Sequence, residues 1–151
     1  MIDGVAVEPL RVVADDRGRL VEVLRCDGPL FEKFGQVYVT TAYPGAVKAW
    51  HRHRRQTDFL AVVAGMAKIA LHDDREGSPT RGETMEVVAG VHSPRLVKVP
   101  PGVWHGFMCI SDSECIVLNC PTEPYNHDAP DEERAEPHGG GIPYDWARRD
   151  R

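Results

Sequence analysis

The sequence has little that would place the protein in a membrane or outside the cell. No apolar run approaches the roughly 18 residues of a membrane-spanning helix, and residues 1–5 are too polar and too short for the core of a signal peptide. The four cysteines form no C-x-x-C pair, a spacing common in thiol redox and zinc sites. We therefore expect a cytoplasmic protein with reduced, mostly buried cysteines and no membrane partner.

The sequence also lacks an excess of positive charge, which limits the kinds of partner that the protein can bind. The formal net charge is −5 over 151 residues, which disfavours general nucleic-acid binding because phosphates repel an acidic surface. Hydrophobic content of 42% and charged content of 27% are ordinary for a globular protein. The length suits one core, so we expect a single domain over residues 1–151.

Helical periodicity is scarce, whereas short strand patterns are frequent. No long segment repeats apolar residues at i, i+3, i+4 and i+7, and residues 30–34 suggest one turn of helix at most. Turns rich in Gly, Pro and Asp separate short apolar runs, which predicts an all-β fold, a β-sandwich or jelly roll. The predicted strands are residues 20–24, 36–42, 46–50, 59–63, 67–72, 84–88, 95–99, 106–110 and 115–120.

Composition divides the chain into three parts. Residues 1–35 are expected to form N-terminal strands and an arm, and residues 36–120 the strand-rich barrel. Residues 121–151 are rich in Asp, Glu, Pro, His and Gly, which predicts an irregular tail across the surface. The aromatic segment 142–146 is expected to dock this tail, and the last five residues to fray.

Histidines and a carboxylate cluster around one predicted strand. His51 and His53 share a face if the chain is extended there, Asp58 follows five residues later, and His105 recurs downstream in a Pro-Pro-Gly turn. Such a set is either a metal site or an acid/base site, and the pattern leaves both interpretations open. The basic residues nearby indicate an anionic ligand or a solvated edge-strand face. They are Lys48, Arg52, Arg54 and Arg55.

The spacing of these residues matches the cupin pattern. That pattern is a Gly, then His-x-His, an acidic residue and a second Gly, followed downstream by Pro-x-Gly-x-x-His. The matching positions are Gly45, His51, His53, Asp58, Gly65, Pro100, Gly102 and His105. The chain therefore resembles the cupin superfamily. The resemblance implies a double-stranded β-helix, a small jelly-roll barrel, with a ligand cavity at its mouth.

Further motifs resemble those of the dTDP-4-dehydrorhamnose 3,5-epimerase family. They include an opening Asp-Arg-Gly motif with a downstream Glu, a Ser-Pro-Thr loop, a His-Gly-Phe motif and the segment that carries the family's catalytic tyrosine. The similarity covers nearly the whole chain. The matching segments are Asp16-Arg-Gly18 with Glu22, residues 48–51, 73–82, 101–107, 122–125 and 142–146.

This resemblance implies proton transfer without a cofactor, next to the ketone of a nucleotide-diphospho-4-keto-6-deoxyhexose. His51 would be the general base, since an imidazole titrates near working pH. Tyr125 would be the acid that returns a proton from the opposite face. The implied substrate contacts are Arg17, Glu22, Gln36, Lys48, His53, Asp58 and His105, with Arg17 and Lys48 expected at the diphosphate. A homodimer is also implied, which would cover the edge strands.

Departures from that family support alternative interpretations. Asp58 stands where the family has a lysine that could stabilise an enolate, and either it or Asp145 could be the acidic partner of His51. The His-x-His pair is more reminiscent of 3,4-ketoisomerases that act on the same substrate class. A set of His51, His53, Asp58 and His105 could instead hold one divalent transition metal, as in a metal-dependent cupin dioxygenase or isomerase. A catalytically silent sugar-binding cupin is the third class.

Overall fold

Two antiparallel sheets of five strands each make up the body of the protein. The computed structural model describes residues 1–148. The strands are β1 Ala6–Pro9, β2 Val12–Asp15, β3 Gly18–Val21, β4 Tyr38–Ala42, β5 Val47–Arg52, β6 Asp58–Ala64, β7 Met66–His72, β8 Thr84–Gly90, β9 Arg95–Val99, β10 Trp104–Cys109, β11 Cys115–Asn119 and β12 Glu133–Arg134. The first sheet has the order β1-β9-β6-β11-β4, the second has the order β12-β5-β10-β7-β8, and β2 and β3 form a separate hairpin.

Neighbouring strands within each sheet are mostly distant in sequence. β6 lies between β9 and β11, and β10 lies between β5 and β7. Apolar side chains from both sheets fill the space between them, including Leu60, Val97, Val117 and Phe107. Strands that alternate between two facing sheets are typical of a jelly roll, so the predicted all-β fold class is confirmed.

Because side chains alternate between the two faces of a strand, several polar residues face one end of this core. On β6, Asp58 shares a face with the core residues Leu60 and Val62. On β11, Asn119 shares a face with Val117, which is fully buried. On β10, His105 shares a face with the core residue Phe107. The core is therefore apolar in its middle and becomes a buried polar cluster at one end.

A bulge in β5 decides which of its side chains face that cluster. His51 pairs with His105 and Lys48 pairs with Phe107, so β5 has one more residue than β10 between these pairs. A bulge changes the direction in which side chains point. His51 and Lys48 both line the interior cavity, and the Trp50 ring packs in an aromatic cluster with Trp104 and Trp146.

The tail after β11 packs against the second sheet. Trp50 and Ala135 exchange two backbone hydrogen bonds of 2.9 and 3.0 Å, which extends the pairing of β12 with β5. Trp146 packs on Trp50 with ring centroids 5.1 Å apart. The buried Lys68 amino group donates to the carbonyl oxygens of Trp146 and Ala147 at 2.9 and 3.3 Å. The segment 142–146 therefore docks the tail, as the sequence predicts.

The predicted strands are all found, with ends shifted by a few residues. β1, β2 and β12 are additional: β1 ends at a proline, and β12 has only two residues and depends on its pairing with β5. The predicted helical turn over residues 30–34 is wrong, since residues 1–148 contain no helix. Leu30 instead packs on the cluster formed by Phe59, Ala61 and Leu96.

The described part of the chain has no helix long and apolar enough to cross a membrane. Cys109 and Cys115 are buried free thiols, Cys120 is half-buried and Cys26 is exposed. The expected fraying of the C-terminus falls largely on residues 149–151, which lie outside the described residues. The expectation of one domain over residues 1–151 stays a prediction.

Candidate active site

A cavity of about 1160 Å³ opens at the polar end of the core. Its walls are side chains of β4, β5, β10 and β11, together with tail residues that include Tyr125, Glu132 and Arg134. The volume lies just above the usual range for small-molecule sites. The cavity can therefore hold a ligand considerably larger than a single sugar.

Three imidazoles lie together at the closed end of this cavity. The ring centroids of His51 and His105 are 4.1 Å apart, and His53 lies 5.8 Å from His51 and 5.9 Å from His105. His51 is on β5 and His105 is its direct partner on β10, while His53 follows the end of β5. The structure thus brings together the three histidines that the sequence singles out.

Asp58 is the acidic centre of this group. Its Oδ2 lies 3.1 Å from Nε2 of His105 and 3.3 Å from Nε2 of His53. Its Oδ1 accepts hydrogen bonds from Gln56 Nε2 at 2.8 Å and Asn119 Nδ2 at 2.9 Å. Burial acts to raise the pKa of Asp58, but the contacts with His105, His53 and Asn119 outweigh it and hold that pKa well below its ordinary value.

Backbone carbonyls orient two of the imidazoles. Nδ1 of His105 lies 3.0 Å from the Val103 carbonyl oxygen, and Nδ1 of His53 contacts the carbonyl of Asp131 in the tail. A carbonyl oxygen only accepts hydrogen bonds, so each Nδ1 carries a proton. The Nε2 atoms of both rings are thereby directed towards Asp58.

His51 differs from the other two histidines. Neither of its ring nitrogens has a hydrogen-bond partner among residues 1–148. Burial lowers the pKa of His51 well below the ordinary value, and the nearby charges of His105, His53 and Arg134 lower it further, while Asp58 partly opposes them. His51 is therefore a neutral imidazole at neutral pH, with a free nitrogen lone pair next to the cavity.

The same four residues also have the composition of a metal-binding set. One ligand atom from each of His51, His53, Asp58 and His105 lies within 4.8 Å of the others. Asp58 Oδ2 and His105 Nε2 are buried and lack a well-aligned hydrogen bond. An imidazole with Nδ1 on a carbonyl and Nε2 free is the usual arrangement of a metal-ligating histidine. The donor set therefore fits a divalent transition metal.

An amide connects Asp58 on β6 to a tyrosine on β4, two strands away in the same sheet. Asn119 Nδ2 donates to Asp58 Oδ1 and, at 2.9 Å, to the hydroxyl oxygen of Tyr38. Asn119 Oδ1 accepts from the Phe59 amide at 3.1 Å, which holds the side chain in place. Gln36, Tyr38 and Thr40, at alternate positions in and beside β4, all line the cavity.

Four of the seven predicted contact residues line this cavity, whereas Arg17, Glu22 and the buried Asp58 do not. Gln36, Lys48 and Tyr125 line it, and the Tyr125 amide donates to Gln36 Oε1 at 3.2 Å. Arg17 and Glu22 lie at and beyond the β2–β3 hairpin, outside the cavity of their own chain. Arg17 is paired with Asp15 at 2.6 Å, and Glu22 with Arg25 at 2.7 Å. Asp58 is paired with His53 and His105, and neither it nor Asp145 is paired with His51 among the described residues.

Four residues of the site were not singled out from the sequence. Tyr38 and Asn119 lie on strands that were predicted, and the two-residue period points Asn119 inward with Val117. Gln56 and Arg134 are brought to the cavity by a loop and by β12. No periodic signal marks these last two, because their placement depends on which segments pair in space.

The fold is that of a cupin, with a polar cavity large enough for a small molecule. The chain belongs to the polysaccharide biosynthesis C-terminal domain family, whose model matches residues 13–133. It is 42% identical over 146 residues to a probable low-salt glycan biosynthesis epimerase of Haloferax volcanii, a match that covers 95% of this chain and 89% of the relative. It is 39% identical to the spore coat polysaccharide biosynthesis protein SpsL of Bacillus subtilis, covering 97% of each.

Solved structures agree with these relatives. A crystal structure of a dTDP sugar isomerase from Desulfovibrio desulfuricans superimposes with a TM-score of 0.92 at 36% identity, covering 99% of this chain and 94% of that one. Weaker sequence matches include proteins named dTDP-4-dehydrorhamnose 3,5-epimerase. The resemblance drawn from the sequence motifs is confirmed.

The lowered pKa of His51 predicts a pH dependence of stability. An unfolded histidine titrates near pH 6.5, so as the pH falls below about 6.5 the unfolded chain takes up this proton before the folded one does. The stability contributed by neutral His51 is therefore complete above that pH and declines below it. We expect the free energy of unfolding in urea to fall more steeply between pH 7 and pH 5 for the wild type than for His51→Asn.

The matched control is His92→Asn, because His92 is exposed and does not line the cavity. Its pH slope should equal that of the wild type. Equal slopes for the wild type and His51→Asn would contradict the assignment of His51 as a buried neutral imidazole.

Proposed function

We propose that this enzyme is an epimerase of a nucleotide-diphospho-4-keto-6-deoxyhexose, acting by proton transfer beside the 4-keto group. The observation that supports this most directly is His51: a neutral imidazole with no hydrogen-bond partner among the described residues, at the wall of a large cavity. A base of this kind is needed to remove a proton next to a ketone. The relatives named as epimerases support the same reaction class.

Proton transfer follows from the groups that face the cavity. His51 takes the proton from the carbon beside the ketone, and the bonding electrons move onto the carbonyl oxygen as an enolate. Tyr125, which lines the same cavity from the segment after β11, returns a proton to that carbon from the opposite face. The carbon is then inverted, and His51 and Tyr125 regain their starting states by exchange with solvent.

Two cationic and two acidic side chains, Glu132 and Glu136 being the acidic ones, line the cavity, and the cationic pair suits an anionic substrate. Lys48 and Arg134 line it, and Lys48 Nζ donates to Thr40 Oγ1 at 3.0 Å. Arg134 is paired with Glu132 at 2.8 Å, and its side chain is 77% exposed. Cationic side chains at an open cavity favour a diphosphate. The 1160 Å³ volume is sufficient for a sugar together with its nucleotide.

Solvent exchange tests the proton transfer. In deuterium oxide with dTDP-4-keto-6-deoxyglucose, the wild type should incorporate deuterium at C3, at C5 or at both, and His51→Asn should lose this exchange. Tyr125→Phe should keep the exchange but lose inversion, since it removes the acid and not the base. NMR of the sugar protons reports both quantities. His92→Asn should behave as the wild type, and a wild type without exchange would refute the epimerase.

The identity of the product separates the epimerase from a 3,4-ketoisomerase. Both reactions begin with a base next to the ketone, so exchange alone does not distinguish them. A product whose ketone has moved to C3 would assign the isomerase instead.

A metal-dependent cupin is the second candidate, and the four-residue donor set favours it. His51, His53, Asp58 and His105 would be the ligands, with the Val103 and Asp131 carbonyls orienting two of the imidazoles. A bound divalent ion would act as a Lewis acid on a substrate oxygen. In that case His51 would be a ligand and would not be available as the base.

Metal analysis separates the two candidates. For the metal-free epimerase, protein purified without a histidine tag should contain less than stoichiometric iron, manganese, nickel and zinc. Its rate should also survive dialysis against a chelator, because His51 and Tyr125 supply the chemistry. A stoichiometric metal whose removal abolishes turnover would establish the second candidate.

We also propose the predicted homodimer, which would allow Arg17 and Glu22 to contact a substrate. Apolar side chains are exposed on the hairpin and on edge strand β4, including Leu20 at 59% and Val39 at 60%. Burying these against a second copy would stabilise an association. Because Arg17 and Glu22 lie outside the cavity of their own chain, they can contact substrate only if the hairpin reaches the cavity of a partner.

Sedimentation equilibrium tests the dimer. The wild type should have twice the mass of one chain, and Leu20→Glu should dissociate it, since the new charge would be buried in the contact. Val88→Glu replaces an exposed apolar residue on β8, in the second sheet, and should leave the mass unchanged. A monomeric wild type would contradict the proposal.

A further inference from the structure

An enolate needs a hydrogen-bond donor at its oxygen, and most of the donors at the closed end of the cavity are directed elsewhere. Both Nδ2 protons of Asn119 are used, one on Asp58 and one on Tyr38. Gln56 Nε2 donates to Asp58. Nδ1 of both His53 and His105 donates to a backbone carbonyl, and their Nε2 atoms face Asp58. Asp58 itself is negatively charged and would repel an enolate. At this end of the cavity, the donor must therefore come from a group whose proton this network leaves unused.

Tyr38 has a hydroxyl proton that this network does not use. Its oxygen accepts the hydrogen bond from Asn119, so its own proton points away from Asn119. The side chain lines the cavity from β4, on the sheet opposite His51. Asn119 in turn is held by the Phe59 amide and by Asp58, so the Tyr38 oxygen has a defined position.

The Tyr38 hydroxyl also keeps its proton at neutral pH. Burial raises the pKa of Tyr38, the Asp58 charge raises it further, and the hydrogen bond from Asn119 opposes both. A phenol in this state donates a hydrogen bond and does not act as a base. Because the hydroxyl is already in position before the reaction, no free energy is spent on reorganising a donor while the enolate forms.

We propose that Tyr38 is a catalytic residue whose hydroxyl donates a hydrogen bond to the substrate ketone and to the enolate formed from it. This inference rests on the proposed epimerase function. His51 takes the carbon-bound proton, negative charge develops on the carbonyl oxygen, and the Tyr38 O–H bond stays intact while its hydrogen bond to that oxygen strengthens. Tyr125 then protonates the carbon, so Tyr38 and Tyr125 have separate tasks.

Tyr38→Phe tests this role because it removes the hydroxyl and keeps the ring. An oxyanion donor acts on enolate formation, which deuterium exchange and inversion both require. Both rates should therefore fall together, by about 10²- to 10³-fold in kcat. KM should change little, since the hydrogen bond is stronger in the transition state than with bound substrate. Tyr43→Phe is the matched control: Tyr43 is 74% exposed and outside the cavity, and its variant should match the wild type.

The outcomes distinguish this inference from the function on which it rests. A wild type that shows no exchange refutes the epimerase and the role of Tyr38 with it. Exchange in the wild type with an unchanged rate in Tyr38→Phe refutes the role of Tyr38 alone. Exchange that persists in Tyr38→Phe while inversion is lost would make Tyr38 the acid and would overturn its role as oxyanion donor.

A second variant covers the case in which Tyr38→Phe does not fold. Incorporation of 3-fluorotyrosine at position 38 keeps the hydroxyl and the ring but makes the phenol more acidic. A donor to the enolate oxygen predicts a changed rate of exchange and inversion together. Identical rates for the fluorinated and natural proteins would overturn the proposal.

Discussion

The buried carboxylate of Asp58 organises the polar end of this protein. It is 1% exposed, and a charge in such a position is costly unless it is paired and hydrogen-bonded. Here two amide donors satisfy one oxygen and two imidazoles face the other. These contacts draw together residues from β6, β10, β11 and the loop after β5. Removing the carboxylate would leave the amide donors of Gln56 and Asn119 without this acceptor.

The same constraint separates the functions of the three histidines. Because His53 and His105 are directed at Asp58 by backbone carbonyls, His51 alone is left without a hydrogen bond among the described residues. Its contact with His105 and its burial keep it neutral. The cluster therefore has a charged interior and a neutral base at its surface, where the cavity begins.

The tail contributes to this arrangement as much as the sheets do. Asp131 contacts His53 through its carbonyl, and its carboxylate accepts hydrogen bonds from the backbone amides of Arg54, Arg55 and Gln56. Glu133 binds both Arg52 and Arg54. The aromatic packing of Trp146 on Trp50 holds the rest of the segment. A part of the chain that looks irregular in sequence is thus the wall that closes the cavity.

The sequence by itself determined the fold class, the approximate positions of nine strands and the histidine cluster, because strand periodicity and the spacing of His51, His53, Asp58 and His105 are local properties of the chain. Tertiary structure decided the rest. Whether Asp58 contacts His51 or its neighbours depends on strand pairing, and the bulge in β5 turns Lys48 and His51 to the same cavity. Tyr38 and Arg134 become part of the site only because β4 and β12 lie beside it, and such contacts between segments distant in sequence have no periodic signal.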